Sequence, residues 1–308
     1  MTAIHPQIQA IADRRVLAAD EGEGPPALEA LRAGYLEAAL ELGGPLEPVA
    51  GTEDVVIPRA DGGRVPARVY RPLAAGPQGG LLVWLHGGGW VMGDLEGFDR
   101  VARQLANACG VPCVSVEYRL APEHPFPAAV EDASGALRWA CGEGAQQLGT
   151  DPARVVVGGD SAGGQLAALA VQRTRAPVLA QLLVYPALDA TCDSEAYRAY
   201  ADGPMLTRGD MVACWEAYLG ERDPTDAEAS VLAADLGGVP PAWIVIAEHD
   251  PVRDDGVAYA AALRAAGVRV ELVRYESMTH GFLRWGGIVE QAHEAIAWLG
   301  SAARETLA

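Results

Sequence analysis

Short apolar runs alternate with segments of helical periodicity from residue 81 to residue 299, and this alternation constrains the fold more than any other feature of the sequence. The runs that predict strands are Leu81–Leu85, Val111–Val116, Val155–Val157, Leu179–Tyr185, Trp243–Ala247 and Val268–Tyr275. Helices are predicted at Leu95–Cys109, Ala128–Cys141, Gln165–Arg173, Asp255–Ala266 and Ile288–Leu299. Strands that alternate with helices are typical of a mostly parallel sheet with helices on both faces, so the predicted fold class is α/β.

Two regions depart from this alternation. Glu53–Arg59 and Val65–Tyr70 alternate apolar with polar residues, which predicts two half-buried strands joined by a turn. Residues 1–45 are helix-forming, and residues 188–238 separate two predicted strands that a single crossover would connect. We therefore predict an N-terminal helical cap segment at 1–45 and a main domain at 46–308, with a cap insertion at about 188–238.

The chain is acidic and contains no lysine. Its 308 residues include 23 basic residues, all of them arginine, and 41 acidic residues, which gives a formal net charge of −18. Nucleic acids and anionic membranes bind basic surfaces, so both are excluded as partners. Five scattered cysteines without metal-site spacing predict reduced thiols, and we expect no metal or other cofactor. The sequence shows no signal peptide and no long apolar stretch, which predicts a cytoplasmic protein.

The sequence Gly159-Asp-Ser-Ala-Gly163 lies between a predicted strand and a predicted helix. In that context a G-x-S-x-G motif predicts a sharp turn that presents the serine hydroxyl at the carboxyl end of the sheet. Small flanking residues let the strand and the helix approach closely. The motif alone is also compatible with a phosphate-binding loop or a plain turn, so Ser161 is a candidate nucleophile that needs a base.

The run His86-Gly-Gly-Gly-Trp90 directly follows the first buried strand. Three consecutive glycines cost backbone entropy, so they indicate an unusual conformation or a ligand close to main-chain N–H groups. A run of this kind after an early strand supplies oxyanion donors in lipases and esterases. The other interpretation is a flexible turn. We expect the His86 ring to order the glycine loop rather than to act as the base.

A base and an orienting acid are expected at the carboxyl ends of the later strands, because ligands of open α/β sheets bind at that edge. His280 follows the last predicted strand, and Asp250 follows the strand Trp243–Ala247. His5, His124 and His293 lie in segments that favour structural or solvent-facing roles, and His249 precedes Asp250 in the same strand end. We therefore predict that Ser161, Asp250 and His280 converge as nucleophile, acid and base.

Other carboxylates lie close to Asp250 in the sequence. Asp254 and Asp255 begin the next predicted helix, where acidic residues complement the helix dipole, so a structural role is favoured for both. Glu248 points to the same face of the strand as Asp250 and is the alternative orienting acid.

At these residues the sequence resembles the hormone-sensitive-lipase-like family of α/β-hydrolases, the bacterial GDSAG-type carboxylesterases. The stretches that carry the resemblance are His86–Trp90, Tyr118–Ala129, Gly159–Gly164, Asp250–Gly256 and His280–Phe282. The resemblance implies the α/β-hydrolase fold, with an eight-stranded sheet and a helical cap formed by the N-terminal region and the insertion. It also implies ester hydrolysis by Ser161, His280 and Asp250 in the roles predicted above. The oxyanion donors that it implies are the N–H groups of Gly88, Gly89 and Ala162.

Apolar residues near the glycine run and in the insertion are candidates for a substrate pocket. The candidates for substrate binding are Trp90, Met205, Leu206 and Trp215. Core packing is the other interpretation of such residues. Because a covered apolar pocket suits soluble monoesters, we expect a preference for short- to medium-chain esters.

The expected partner is a small-molecule ester. A homodimer through the last predicted strand is a further expectation, although Arg269, Glu271 and Arg274 on that strand are also typical of charges that guard a sheet edge. The alternative functions are a peptidase or amidase on the same fold and a catalytically silent small-molecule receptor. The intact set of Ser161, Asp250 and His280 argues against the receptor.

Overall fold

The computed structural model describes residues 3–19, 27–76, 78–226 and 229–308. Within them the chain forms one eight-stranded sheet. Its strands are β1 (Gly51–Pro58), β2 (Arg64–Arg71), β3 (Leu81–Leu85), β4 (Cys113–Val116), β5 (Val155–Asp160), β6 (Val178–Val184), β7 (Ala242–His249) and β8 (Val270–Thr279). This confirms the predicted α/β class and the eight strands that the family resemblance implied.

The strands lie in the order β1-β2-β4-β3-β5-β6-β7-β8. β2 pairs antiparallel with both β1 and β4, and all later neighbours pair in parallel. Every residue of β3, β4, β5 and β7 is buried, as their continuous apolar runs predict. The carboxyl ends of β5, β7 and β8 therefore meet at one edge of the sheet.

Helices pack against both faces of the sheet. The described helices are α1 (Pro6–Ala19), α2 (Leu28–Leu42), α3 (Asp99–Cys109), α4 (Ala128–Ala140), α5 (Glu143–Leu148), α6 (Ala162–Thr174), α7 (Glu195–Ala199), α8 (Arg208–Leu219), α9 (Arg253–Ala265) and α10 (Glu290–Leu307). The pair α3 and α10 packs together, and so does the pair α4 and α6. None of the described helices combines the length and the apolar character that crossing a bilayer requires.

β5 is longer than the sequence pattern predicts, because it continues through Gly158 and Gly159 to Asp160. Glycines and an aspartate suggest a turn, yet here they pair with β6 up to the last residue of the strand. Limited space explains why position 158 is a glycine, because a Cβ there would come within 2.8 Å of the Trp84 ring. The turn is thereby delayed until Ser161.

The predicted cap regions contain helices at both positions. α1 and α2 lie within residues 1–45, and α7 and α8 lie within the insertion after β6. Residues 1–2, 20–26 and 227–228 of these predicted cap regions lie outside the described residues. α2 and α8 both contact the loop that follows β3. The division into a main domain and a cap stays a prediction.

Candidate active site

Ser161 occupies the turn between β5 and α6 in a conformation that L-amino acids rarely adopt. Its φ is 56° and its ψ is −120°. The turn is tight enough that a Cβ on Gly163 would overlap the Leu85 carbonyl oxygen, and a Cβ on Gly159 would overlap the backbone of Gly163. The Ser161 N–H donates to the Val184 carbonyl oxygen at 2.9 Å, which fixes the turn against β6. The turn thus places the serine side chain just beyond the carboxyl end of β5.

The structure brings together the three side chains predicted to act as nucleophile, base and acid. The Oγ of Ser161 lies 2.8 Å from Nε2 of His280, and Nδ1 of His280 lies 2.7 Å from Oδ2 of Asp250. The pairing of His249 with Thr279 at the ends of β7 and β8 explains the approach, because Asp250 and His280 are the next residues. A proton on Nδ1 donates to Asp250 and leaves Nε2 able to accept the serine proton.

Asp250 is completely buried, and its second carboxylate oxygen accepts the Val252 N–H at 2.9 Å. The alternative acid, Glu248, accepts from Arg253 at 2.8 Å and from Arg274 at 3.0 Å. Because both of its oxygens are engaged by arginines, Glu248 does not orient His280. Asp250 is thus the carboxylate that the structure places on the imidazole.

The two aspartates at the start of α9 hold loops rather than contacting the imidazole. Asp255 accepts the N–H groups of Leu188 and Asp189 at 2.8 and 3.0 Å, and Asp254 accepts the Ala196 N–H at 2.8 Å. Burial raises the pKa of Asp255. The two carboxylates therefore attach the insertion to α9, which agrees with the structural role favoured by the sequence.

The glycine loop after β3 has an irregular backbone. Gly88, Gly89 and Trp90 have φ values of 123°, 60° and 61°. In the described part of the chain, the N–H groups of Gly88, Gly89 and Ala162 donate to no other protein group. Main-chain donors of this kind can bind a developing oxyanion, and Ala162 begins α6, where the helix dipole adds positive potential.

The His86 ring lies behind the glycine loop, fully buried. It stacks on Tyr118 with ring centroids 4.2 Å apart, and the Tyr118 hydroxyl donates to the His86 carbonyl oxygen at 2.7 Å. Burial lowers the pKa of His86 to about 4, so the ring is neutral near neutral pH. These contacts fit the expected ordering role of His86.

Two of the four predicted pocket residues are interior side chains. Trp90 is fully buried, stacks on Tyr218 at 4.6 Å and donates its Nε1–H to Gln165 at 3.1 Å. Trp215 of α8 is 2% exposed and lies 4.1 Å from Trp90. These two tryptophans pack in the interior, as the core-packing interpretation expects. Their ring contact joins α8 to the glycine loop. Met205 and Leu206 are half-buried and pack against the core.

α8 also covers the glycine loop through Cys214. A Cβ on Gly89 would overlap the Cys214 sulfur, so the two residues are in direct contact. Burial raises the pKa of this thiol to about 12, and it is therefore uncharged. α8 therefore limits the space beside Gly89, one of the proposed oxyanion donors.

α2 contacts the other side of the loop, which the sequence pattern did not predict. The Arg32 guanidinium donates to the carbonyl oxygens of Val91 and Ala121 at 2.8 and 3.1 Å and pairs with Glu123 at 2.7 Å. An arginine on an otherwise ordinary surface helix gives no sign in the sequence of partners 59 and 89 positions away. α2 is thereby held on the segment that carries the proposed oxyanion donors.

A cavity of about 380 Å³ lies between α2 and the glycine loop. Its lining contains charged and aromatic side chains, and none of Ser161, Asp250 and His280 belongs to it. The lining residues are Arg32, Tyr35, Leu36, Gly93, Asp94, Glu117, Tyr118, Leu120, Glu123 and His124. Among the described residues, no three His, Cys, Asp or Glu side chains are grouped so that they could hold a metal ion.

Comparisons with known proteins identify the family of the chain. A profile of the alpha/beta hydrolase fold matches residues 82–284. Carboxylesterase NlhH of Mycobacterium tuberculosis is 44% identical over 240 residues, which cover 75% of each chain. Ethyl acetate hydrolase of Pseudomonas putida is 40% identical over 266 residues, or 82% of each chain. The solved structure of a hyperthermophilic esterase from Pyrobaculum calidifontis matches with a TM-score of 0.90 at 37% identity, over 100% of both chains. The chain therefore belongs to the alpha/beta hydrolase family and, within it, to the hormone-sensitive-lipase-like carboxylesterases, which are carboxylic ester hydrolases.

Proposed function

We propose that this protein is a serine carboxylesterase that acts through an acyl-enzyme intermediate on short- to medium-chain esters. The observation that carries the proposal is the unbroken series of contacts from Asp250 through His280 to the Ser161 hydroxyl, at 2.7 and 2.8 Å. Family membership supports the reaction class, and this geometry supports the serine mechanism.

In the first step, Oγ of Ser161 attacks the ester carbonyl carbon while Nε2 of His280 accepts the hydroxyl proton. Asp250 fixes the imidazole tautomer and stabilises the imidazolium. The carbonyl oxygen becomes an oxyanion, which receives hydrogen bonds from the N–H groups of Gly88, Gly89 and Ala162. The C–O bond then breaks, the proton passes from Nε2 to the leaving alkoxide, and the acyl group stays on Oγ. Water repeats the sequence and releases the acid.

The space around the site supports the preference for shorter chains. α8 lies against Gly89 through Cys214, and Trp90 and Trp215 fill the interior behind it. A small acyl or alcohol group fits these surroundings better than a lipid tail does.

The test compares hydrolysis of p-nitrophenyl acetate, butyrate and laurate by the wild type and by Ser161→Ala. We expect the substitution to lower kcat by about 10⁶-fold, as loss of a triad serine does elsewhere. Ser301→Ala, which removes an exposed serine of α10, is the matched control and should retain full activity. Wild-type turnover by Ser161→Ala would contradict the serine mechanism.

Two further substrates separate the alternatives. Faster hydrolysis of a long-chain triglyceride emulsion than of butyrate esters would contradict the chain-length preference. A peptide p-nitroanilide measured in parallel should be cleaved far more slowly than the esters, and the opposite result would indicate a peptidase.

A further inference from the structure

The carbonyl oxygen of Gly88 accepts two main-chain hydrogen bonds from within the glycine loop. The N–H groups of Val91 and Met92 donate to it at 3.1 and 2.9 Å. Because a trans peptide group is planar, its C=O and N–H bonds point in opposite directions. The Gly88 carbonyl and the Gly89 N–H belong to one peptide group. The two bonds that hold this carbonyl therefore also fix the direction of a proposed oxyanion donor.

Both donor peptide groups carry a carbonyl that is held from outside the loop. The Met92 N–H shares its peptide group with the Val91 carbonyl, which accepts the Nε–H of Arg32 at 2.8 Å. The Val91 N–H shares its peptide group with the Trp90 carbonyl, which accepts the Ala121 N–H at 2.9 Å. Two short chains of hydrogen bonds thus converge on the same carbonyl oxygen, and one of them begins at a charged side chain of α2.

Glu123 fixes the Arg32 guanidinium on its other side. Nη1 and Nη2 of Arg32 donate to the two carboxylate oxygens of Glu123 at 2.7 and 2.8 Å. Two parallel bonds set the plane of a guanidinium, and this plane sets the direction of the Nε–H toward Val91. A hydrogen bond from a charged donor is stronger than one from a neutral donor, and successive bonds in a chain polarise one another. Arg32 is half-buried, so its charge is only partly screened by water.

We propose that Arg32 is a positioning residue for ester hydrolysis, which orients the Gly89 N–H toward the oxyanion through two successive peptide groups. This role rests on the proposed serine esterase function. The bond from Arg32 fixes the peptide group between Val91 and Met92, and that group fixes the one between Gly88 and Gly89. The oxyanion geometry therefore depends on α2, a helix of the predicted cap.

Steady-state kinetics with p-nitrophenyl butyrate compares the wild type with Arg32→Met, which cannot donate to Val91. We expect kcat to fall by about 10-fold, less than the roughly 10²–10³-fold that loss of an oxyanion donor itself costs. KM should stay within about 2-fold of the wild-type value, because the affected hydrogen bond is made in the transition state and not in the ground state. A higher KM with an unchanged kcat would place Arg32 in substrate binding and overturn the proposal.

Arg175→Met is the matched control. Arg175 donates to the main-chain carbonyl oxygens of Asp235 and Gly237 at 3.0 and 2.9 Å, at the other end of α6 from Ser161. The same substitution therefore removes contacts of the same kind from a different loop, and kcat should keep its wild-type value. An equal fall in kcat would show that any loosened loop slows the enzyme, which contradicts a specific role for Arg32.

Glu123→Gln separates the bond to Val91 from the attachment of α2. This variant removes the charge of the ion pair and leaves Arg32 able to donate to the Val91 carbonyl, so kcat should fall far less than in Arg32→Met. An equal loss in both variants would mean that the seating of α2, and not the chain of hydrogen bonds, determines the rate. The proposal would then be wrong.

A trifluoromethyl ketone with a short alkyl chain measures oxyanion binding directly. Oγ of Ser161 adds to its carbonyl carbon, the hydroxyl proton passes to His280, and the carbonyl oxygen becomes a stable oxyanion. Because such an adduct resembles the transition state, Ki in Arg32→Met should rise by the same factor by which kcat/KM falls. A lower kcat/KM with an unchanged Ki would overturn the proposal.

Amide hydrogen exchange without substrate, followed by NMR, keeps this proposal separate from the proposed function. In Arg32→Met the Met92 N–H should exchange at least about 10-fold faster, since local opening of its bond to Gly88 becomes easier. The Ser161 N–H, which donates to Val184, is the internal reference and should keep its rate. Unchanged exchange at Met92 would overturn the proposal. If Ser161→Ala retains wild-type esterase activity, the serine mechanism fails, while the exchange rates still test the chain of hydrogen bonds from Arg32.

Discussion

At the scale of single residues, two carboxylates at the carboxyl end of β7 have different partners: Glu248 lies in the strand and Asp250 directly follows it. Asp250 is fully buried, and within the described residues its carboxylate is hydrogen-bonded to His280 and the Val252 N–H, whereas Glu248 is held by Arg253 and Arg274. Their partners, which come from β8 and the start of α9, decide which of them orients the imidazole.

The two carboxylates provide a matched pair of substitutions. We expect Asp250→Asn to lower kcat by about 10⁴-fold, because the amide favours the wrong imidazole tautomer. Glu248→Gln should leave kcat close to the wild-type value, since Glu248 has no contact with His280. Steady-state kinetics with p-nitrophenyl butyrate checks both. A large loss in Glu248→Gln with an active Asp250→Asn would reverse the assignment.

At the scale of secondary-structure elements, the sequence predicted the sheet better than the surroundings of the site. Continuous apolar runs such as Leu81–Leu85 mark buried strands directly, because every side chain must be apolar there. The contacts of Arg32 with Val91 and Ala121 depend on how α2 lies on the sheet, and no local pattern encodes that placement. The glycine and serine motifs were informative because backbone geometry restricts them locally, while the packing of Trp90 against Trp215 needed the three-dimensional arrangement.

The docking of α8 is tested by removing one of its buried rings. Trp215→Ala should reduce the free energy of unfolding by about 3–5 kcal/mol, because Trp215 packs against Trp90 in a closed interior. It should also lower kcat, since Trp90 immediately follows Gly89. Glu216→Ala, the adjacent exposed position on α8, should change stability by less than about 0.5 kcal/mol. Urea unfolding of both variants measures the difference, and equal effects would contradict the packing role.

β8 forms one edge of the sheet, which is the place where the sequence predicted a dimer contact. Arg269 and Glu271 pair with each other, and Arg269 also contacts Glu305 of α10 at 3.1 Å. Charges on an edge strand discourage pairing between chains. The dimer stays a prediction that light scattering can check, with an expected mass of twice 32.2 kDa. A mass of 32.2 kDa at all concentrations would remove it.

At the scale of the whole molecule, the negative charge and the candidate chemistry are separated. The formal net charge is −18, yet the proposed oxyanion donors are uncharged main-chain groups at the carboxyl edge of the sheet. The acidic residues of the surface repel one another, and this repulsion destabilises the compact state. Two buried carboxylates, Asp160 and Asp250, lie beside the candidate nucleophile and base.

Salt should therefore stabilise the protein near neutral pH. The Debye length falls from about 30 Å at 0.01 M to about 10 Å at 0.1 M, so surface repulsion is screened over this range. We expect Tm at about pH 8 to rise between these two concentrations, and to rise less at about pH 5, where part of the carboxylates is protonated. Scanning calorimetry in sodium chloride checks this, and a falling Tm would show that the surface arginine–carboxylate pairs outweigh the repulsion.

The positive φ of Ser161 has a consequence for how such a sequence changes over time. A serine held at φ 56° and ψ −120° costs folding free energy that glycine at the same position would avoid. Selection for turnover opposes that exchange, and selection for persistence of the fold favours it. In descendants that no longer need the reaction, we expect position 161 to mutate to glycine early while the small residues at 159 and 163 stay, because the tight turn still requires them. Sequences with that combination would identify lineages in which the fold persists after the reaction has been lost.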